Sequence, residues 1–153
     1  MRVLGINGTK DGLYLAVADH GTVIDVEPYV LQLPAGLDPG RQLPAFKGYA
    51  EKFVETHKIT QVRLLQAEPS YSASYISFVD RVSMETLFLL ACTEKGVDFQ
   101  RLTRSRVRSI LELEKRGPLT KAGEAINPKV GPHWANKRDL AALAALAGSR
   151  EAS

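Results

Sequence analysis

The first third of the chain contains short apolar runs separated by polar turns, a pattern that predicts β-strands. One run covers residues 2–7 and a second covers residues 13–18, on either side of a turn over residues 8–12. A third run, TVIDVEPYVLQL, follows another turn at residues 20–21. Because the connections are so short, we expect these three strands to form an antiparallel meander.

After the meander, a loop rich in proline and glycine (residues 33–44) leads into alternating helices and strands. Helices are predicted where apolar residues recur at three- and four-residue spacing, and strands where short apolar runs lie between turns. In chain order these elements are a helix over 45–58, a strand over 59–69, a long helix that ends at Gly96, a strand over 97–102, a helix over 103–115 with Thr103 as its N-cap, and an Ala/Leu-rich helix over 135–149 that ends at Gly148. The stretch 117–134 is rich in glycine and proline and indicates a loop.

A meander that continues into strand–helix units predicts an α/β fold. We expect a mixed sheet, made of an antiparallel three-strand meander plus parallel strands, with helices on both faces. The 153 residues are enough for one domain with a sizeable core. We therefore predict a single domain over residues 1–148 and a frayed tail over residues 149–153. In such sheets, functional sites gather where strand ends meet.

The composition is that of an ordinary globular protein, with 44% hydrophobic and 24% charged residues. No apolar run approaches the roughly 20 residues needed to span a bilayer, so no membrane partner is expected. The N-terminus lacks the basic and apolar segments of a signal peptide. The single cysteine, Cys92, lies in the apolar stretch LFLLACT, which predicts a buried, inert thiol. Together these features favour a cytoplasmic protein.

Positive charge is concentrated in one segment rather than spread along the chain. The net charge is +3, and residues 101–121 carry seven cations against two glutamates, Glu112 and Glu114. The cations are Arg101, Arg104, Arg106, Arg108, Lys115, Arg116 and Lys121. Such a segment neutralises phosphates without reading sequence. A solvated helix face with no partner explains the same pattern equally well.

Four polar positions could meet at one end of the sheet. Asn7 ends the first strand, Glu68 ends the strand after the first helix, and Asn136 and Asp139 share one face of the last helix. If that helix packs across the first strand, all four converge. Mg²⁺ takes oxygen ligands, and two such ions about 4 Å apart activate water and stabilise the leaving oxygen in phosphodiester cleavage.

The order of these motifs resembles the ribonuclease-H-like fold and, more narrowly, the RuvC-type Holliday-junction resolvases. The opening RVLGINGTKDGLYLAVAD is similar to small resolvase-like proteins that begin with a strand, a metal-binding Asp and Gly-Thr-Lys. VSMETLFLLACTEKGVDFQRLTRSRVRSIL is similar to the family's helix–strand–helix, and NKRDLAALAAL is similar to its last helix. The resemblance extends over most of the chain.

This resemblance implies a catalytic set at Asn7, Glu68, Asn136 and Asp139. Asn7 falls where the family has its first Asp, and Asn136 falls where it has Asp or His, whereas Glu68 and Asp139 match in type. Glu68 and Asp139 would then bind Mg²⁺ or Mn²⁺. Amides add no negative charge, so a set near −2 replaces one of about −4, or −3 with His, and each lost charge weakens metal binding by about 1 kcal/mol or more.

Each of the four positions also has a purely structural explanation. Asn7 before Gly8 suits a turn, and Glu68 before Pro69 suits a solvated loop. Asp139 could lie on an exposed helix face. Alternatively, Asn136 could be the N-cap of the last helix with Asp139 three residues later completing a capping box.

Two functions follow from these observations. The first is a metal-dependent endonuclease that hydrolyses phosphodiesters in structured or branched DNA, with the basic segment, Lys10 in a turn that resembles a phosphate-binding turn, and Tyr71 contacting the nucleic acid. The second is a catalytically degenerate module of the same fold that acts by binding DNA, RNA or protein. A homodimer is expected, because a junction offers two equivalent strands and the helix Ser83–Glu94 has apolar residues for both core and interface.

Overall fold

The structure, a computed structural model, describes residues 1–68, 73–126 and 129–152. In chain order its elements are β1 (Arg2–Thr9), β2 (Gly12–Asp19), β3 (Thr22–Ile24), β4 (Val30–Leu31), α1 (Pro39–Thr56), β5 (Gln61–Leu65), α2 (Tyr75–Lys95), β6 (Asp98–Leu102), α3 (Arg104–Ile110), α4 (Thr120–Gly123) and α5 (Asp139–Ala152). A kinked segment, Trp134–Arg138, leads directly into α5.

The strands form one mixed sheet in the order β3-β2-β1-β5-β6, with β4 also pairing with β2. β1 and β2 are antiparallel, whereas β1, β5 and β6 are mutually parallel neighbours. Asn7 near the end of β1 is aligned with Leu65 at the end of β5. The predicted mixed sheet is therefore confirmed, and the carboxyl ends of its parallel strands share one edge.

Side chains of β1 alternate between two helical layers, as the period of a strand requires. Leu4 and Ile6 pack in a core with Phe46 of α1 and Phe88 of α2. On the other face, a Cβ added at Gly5 would lie 1.8 Å from the backbone oxygen of Ala141, so α5 lies directly against the β1 backbone. Helices thus cover both faces of the sheet, as predicted.

The predicted third strand is wrong, because only its two ends pair with β2. Thr22–Ile24 and Val30–Leu31 are strands, and the stretch between them contains Pro28. Proline has no N–H to donate to a sheet ladder, which accounts for the interruption.

The first helix begins at Pro39, six residues before its predicted start. Asp38 caps it by accepting a hydrogen bond from the Arg41 N–H at 3.0 Å, and Pro39 occupies the first turn, where proline is tolerated. The Pro- and Gly-rich composition therefore hid a helix start. The predicted end of α2 at Gly96, in a left-handed conformation, and the predicted N-cap of α3 at Thr103 are both confirmed.

Two predicted helix ends are wrong. α3 ends at Ile110 rather than Lys115, and the following chain folds back so that Arg108 donates to the backbone oxygens of Glu114 and Gly117, at 2.7 and 2.6 Å. α5 continues through Gly148 to Ala152, across most of the segment predicted to be a frayed tail. A Cβ at Gly148 would lie 2.6 Å from Arg63 and 2.9 Å from Val3, so this glycine permits close packing instead of ending the helix.

Cys92 lies on α2 and is fully buried in the core, which confirms the predicted burial of the thiol. Burial raises the pKa of this thiol to about 12, so it stays protonated and unreactive near neutral pH. Among the described residues, none of the helices combines the length and apolar character that crossing a bilayer requires.

Candidate functional site

A cleft of about 560 Å³ opens at the edge of the sheet where β1 and β5 end. The turn after β1 and the short segment after β5 form its floor. The beginnings of three helices, α2, α3 and α5, form its walls. Its lining includes Asn7, Gly8, Thr9, Lys10, Ala67, Glu68, Ser74, Ser77, Arg81, Arg104, Asn136 and Leu140. The topology therefore brings residues from five separate segments to one place.

Three of the four residues predicted to converge line this cleft. Asn7 and Glu68 reach it because β1 and β5 are adjacent and parallel, and Asn136 reaches it because α5 packs across β1. Asp139 is not among the described residues that line the cleft. The predicted meeting point exists, but its chemical character depends on what each side chain contacts.

Asn7 is a buried structural donor. Its side chain is 4% exposed, and its Nδ2 donates a hydrogen bond to the backbone oxygen of Lys137 at 3.0 Å. A carboxylate at this position has no proton to donate to that oxygen. The amide therefore links the end of β1 to the start of α5.

Asp139 holds the start of α5 in place. Its Oδ2 accepts from the Asn136 N–H at 3.2 Å, and its Oδ1 accepts from the Leu140 N–H at 2.7 Å. Burial raises the pKa of Asp139, and these backbone hydrogen bonds partly lower it. Gly123 of α4 packs against the carboxyl group, since a Cβ there would lie 2.8 Å from the Asp139 Cβ. Both carboxylate oxygens are thus engaged by the backbone.

Asn136 adopts a left-handed backbone conformation, with φ 58° and ψ 20°, inside the kinked segment. Asparagine tolerates this conformation better than most residues. An ordinary N-cap has extended angles instead. The Asn136 N–H nevertheless donates to the Asp139 carboxylate three residues later, which is the backbone-to-side-chain bond of a capping box.

Glu68 and Arg104 face one another across the cleft. The Glu68 carboxylate lies 3.6 Å from Nη1 of Arg104, whose side chain is 22% exposed. The Arg104 Nε is buried and has no hydrogen-bond partner among the described residues. Burial lowers the pKa of Arg104, Glu68 opposes that effect, and the nearby charges of Arg81 and Arg108 add to it. A guanidinium nevertheless remains charged at any physiological pH.

Arg81 is a cleft residue that the sequence analysis missed. It lies on α2, and its Nε donates to Glu85 at 3.0 Å, with both side chains largely buried. Gly8 makes room for it, because a Cβ there would lie 2.9 Å from the Arg81 Nε. The available signal was an Arg–Glu pair at i,i+4 inside a helix that is otherwise mostly apolar.

The charges that line the cleft are mainly positive. Among the described residues that line it, Lys10, Arg81 and Arg104 accompany a single carboxylate, that of Glu68. Glu85 neutralises Arg81 locally, yet the balance remains positive. The N-terminal ends of α2 and α5 also border the cleft, and helix N-termini carry partial positive charge. This arrangement suits an anion.

The divalent metal that the resemblance implies does not fit these residues. Asn7 donates to the backbone, both oxygens of Asp139 accept from the backbone, and Glu68 faces a guanidinium. In the described ranges there is no group of three or more His, Cys, Asp or Glu side chains able to hold a metal ion. Nearby arginines would further weaken cation binding by Coulomb repulsion.

The predicted nucleic-acid-binding cations fall into different environments. Arg104 and Lys10 line the cleft. Arg106 pairs with Glu151 of α5 at 3.0 Å, and Arg108 orders the turn after α3. The remaining cations are exposed on the surface, namely Arg101, Lys115, Arg116 and Lys121. Tyr71, the aromatic residue predicted to stack on bases, lies outside the described residues.

Comparison with solved structures places this fold. Thermus thermophilus RuvC is similar at a TM-score of 0.76 and 16% identity, covering 99% of this chain and 95% of that one. The same protein in complex with a Holliday junction substrate gives 0.73 and 15%, covering 99% and 94%. The yeast mitochondrial Holliday junction resolvase gives 0.58 and 11%, covering 97% and 77%. No protein-family model and no curated protein sequence matches the chain.

The mixed sheet, its strand directions and its two helical layers define a ribonuclease-H-like α/β fold. Within that class, the chain has the RuvC-type fold over almost its whole length. The resemblance seen in the sequence is thereby confirmed for the fold. With identities of 11% to 16%, the likeness extends to the fold alone.

Proposed function

We propose that this protein is a nucleic-acid-binding module with the RuvC-type fold, which binds structured or branched DNA without hydrolysing it. The observation that carries the proposal is the pair of arginines, Arg81 and Arg104, that lines the cleft where the resemblance implies an acidic metal site.

Binding to DNA is supported by charge and by fold. The net charge is +3, and exposed cations follow Arg104 along the chain to Lys121. Cations on a protein surface gain affinity for DNA by releasing its counterions. A protein with a similar fold, Thermus thermophilus RuvC, has been solved in complex with a Holliday junction substrate.

Loss of hydrolysis follows from the same residues. Two-metal hydrolysis needs carboxylates that hold both ions about 4 Å apart. Here Asn7 links β1 to the segment before α5, and Asp139 accepts from the backbone at the start of α5. Glu68 is paired with Arg104. Arginine binds phosphate directly, so the cleft retains affinity for the substrate backbone without retaining the catalytic ions.

We further propose a homodimer that forms through the first half of α2. Tyr75, Phe78, Val79 and Val82 share one face of this helix, and Tyr75 and Phe78 are 82% and 53% exposed. Ile76, 71% exposed, extends the same apolar surface. This α2 face lies entirely N-terminal to the stretch predicted from sequence for the interface, Ser83–Glu94. A contiguous apolar surface of this kind marks an interaction site, and a second copy would bury it symmetrically.

The proposal is tested with a labelled four-way junction and a linear duplex of the same length. Binding is measured at low salt in EDTA, and cleavage is measured separately in Mg²⁺ and in Mn²⁺. We expect salt-sensitive binding in EDTA and no cleavage in either metal. Metal-dependent cleavage that is lost in Glu68→Gln or Asp139→Asn would contradict the proposal and favour an active nuclease. Absence of DNA binding at low salt would remove both functions and leave a protein-binding role.

A further inference from the structure

Arg81 and Arg104 come from different helices but bring their charges to the same cleft. Their interaction is repulsive, and it is offset by two carboxylates, Glu85 for Arg81 and Glu68 for Arg104. The two ion pairs differ in length, since the Glu85 carboxylate lies 3.0 Å from Arg81 whereas the Glu68 carboxylate lies 3.6 Å from Arg104. Arg81 is thus held firmly, whereas Arg104 is held loosely.

Arg104 also has unused donor capacity. Its Nε is buried and has no hydrogen-bond partner in the described part of the chain. A buried donor without a partner costs free energy, and that cost is recovered when an acceptor arrives. The guanidinium fork matches the geometry of phosphate oxygens, to which it donates two parallel hydrogen bonds.

We propose that the cleft is a phosphate-binding site, in which Arg104, Arg81 and Lys10 hold the phosphate group without a metal ion. The inference rests on the proposed function, since the phosphate would belong to a nucleic-acid strand. Lys10 lines the cleft from the turn after β1, a different segment from the two helices that supply the arginines. Ser74 and Ser77 line the same cleft at the start of α2. The Ser74 hydroxyl donates to the Ser77 hydroxyl at 2.9 Å, so Ser77 is the one of the two whose hydroxyl proton is left as a neutral donor.

Glu68 is then a competitor for Arg104 and not a ligand of the bound group. An arriving phosphate displaces the exposed Glu68 carboxylate, whose charge otherwise repels it across the cleft. Removing that charge should therefore strengthen phosphate binding. A metal-ligand role for Glu68 predicts the opposite sign, because loss of a ligand weakens any binding that a metal mediates.

The test uses inorganic phosphate as the probe and the full chain as the protein. Phosphate affinity is measured by calorimetry in EDTA at constant ionic strength, for the wild type and for Arg104→Gln, Arg106→Gln and Glu68→Gln. Arg106 is the matched control, because it lies on the same helix, carries the same charge and pairs with Glu151 away from the cleft lining. Circular dichroism verifies that each variant is folded.

We expect Arg104→Gln to weaken phosphate binding by about tenfold or more, Arg106→Gln to change it less than about twofold, and Glu68→Gln to strengthen it severalfold. Arg81→Lys, which keeps the charge and loses the fork, should weaken binding by an intermediate factor. The proposed phosphate-binding site would be contradicted by any of three results: equal effects of the Arg104 and Arg106 substitutions, weaker phosphate binding by Glu68→Gln, or no phosphate binding by the wild type.

The source of the phosphate is resolved by comparing short oligonucleotides with and without a 5′-phosphate. If the protein prefers the phosphorylated strand and this preference disappears in Arg104→Gln, the site binds a terminal phosphate. If both strands bind equally and both depend on Arg104, the site binds internal phosphodiesters. If Arg104→Gln leaves junction binding unchanged, only the phosphate-binding site is contradicted. If phosphate binding depends on Arg104 but the protein does not bind the junction, only the proposed function is contradicted.

Discussion

The Asn7 side chain donates a hydrogen bond to the backbone oxygen of Lys137 at 3.0 Å, joining the first strand to the segment that begins the last helix. The two residues are 130 positions apart in the sequence, and the donor is buried. This contact gives the amide at position 7 a structural role that a carboxylate cannot fill. It also separates this chain from the acidic site that the sequence resemblance implies.

Asn7→Asp should destabilise the protein by about 1–3 kcal/mol at neutral pH, because the new carboxylate faces a carbonyl oxygen and has no proton to share. The penalty should shrink in acid, where the protonated carboxyl donates again. Urea unfolding at neutral pH and in acid measures the loss of stability and its reduction on protonation. Asn7→Asp with a stability equal to that of the wild type at neutral pH would contradict the role assigned to this contact.

The double substitution Asn7→Asp and Asn136→Asp tests the metal site directly. If the four positions formed a metal site, the two added charges would raise Mn²⁺ affinity. We expect little or no heat of Mn²⁺ binding in calorimetry, because Asp139 is engaged by the backbone and arginines line the cleft. Tight Mn²⁺ binding by the folded double variant would show that these positions retain a metal site.

Asp139→Asn should lower stability by about 1–3 kcal/mol, because an amide accepts at only one of the two positions where the carboxylate accepts. DNA binding by the folded variant should equal that of the wild type, since Asp139 does not line the cleft within the described chain. Anisotropy with labelled junction DNA, on protein shown to be folded, measures this. A large loss of binding would instead place Asp139 in the binding site.

The same residue predicts a pH dependence. Burial raises the pKa of Asp139, so the folded protein binds a proton at this carboxyl more readily than the unfolded chain does. The charged carboxylate therefore costs stability above the ordinary carboxyl pKa of 3.8, and acid relieves that cost. Asp139→Asn removes this titratable group. The free energy of unfolding of the wild type minus that of the variant should therefore rise as the pH falls from about 7 to about 4. A decrease of that difference over the same pH range would contradict the prediction.

Gly5→Ala should destabilise the fold by about 3 kcal/mol or more, because the added methyl group would lie 1.8 Å from the Ala141 backbone oxygen. Gly48→Ala is the matched control. It lies in α1, and its added Cβ meets no described atom within 4 Å, so it should stabilise the protein by about 0.5–1 kcal/mol. Thermal unfolding of both variants checks the pair. Similar effects at the two glycines would show that α5 does not pack against β1 this closely.

Phe78→Asp should convert the proposed homodimer to a monomer by placing a charge in the apolar α2 face. Tyr49→Asp on α1 is the control, since Tyr49 is also an exposed large side chain, at 44%. Sedimentation velocity gives the mass of each variant. A wild-type monomer, or a dimer that survives the Phe78 substitution, would rule out this interface.

Much of the architecture could be predicted from the sequence because it rests on local periodicity. The apolar runs of β1 and β2, each bounded by a polar turn, and the glycine stop at Gly96 are local signals, and the structure has these elements in the predicted order. Gly148 was misinterpreted because a glycine that permits packing looks the same in sequence as one that ends a helix. The distinction depends on Val3 and Arg63, which are distant along the chain.

The position of the cleft followed from topology, but its charge did not. Parallel strand ends predicted where Asn7 and Glu68 would meet. The sequence predicts Arg104 as one of the cations of a basic segment, but it places neither Arg104 nor Arg81 in the cleft, because tertiary packing brings their side chains there. The capping-box spacing of Asn136 and Asp139 did indicate the bond from the Asn136 N–H to the Asp139 carboxylate. The backbone oxygen of Lys137, which accepts from Asn7, has no such signal in the sequence.

The most direct test of the account is the junction affinity of Glu68→Gln compared with the wild type, measured by anisotropy in EDTA and again in Mn²⁺. If the Glu68 carboxylate competes for Arg104, Glu68→Gln binds the junction more tightly than the wild type does, and Mn²⁺ strengthens neither affinity. Binding or cleavage that requires Mn²⁺ in the wild type and disappears in Glu68→Gln would contradict the claim that this cleft holds phosphate in place of metal.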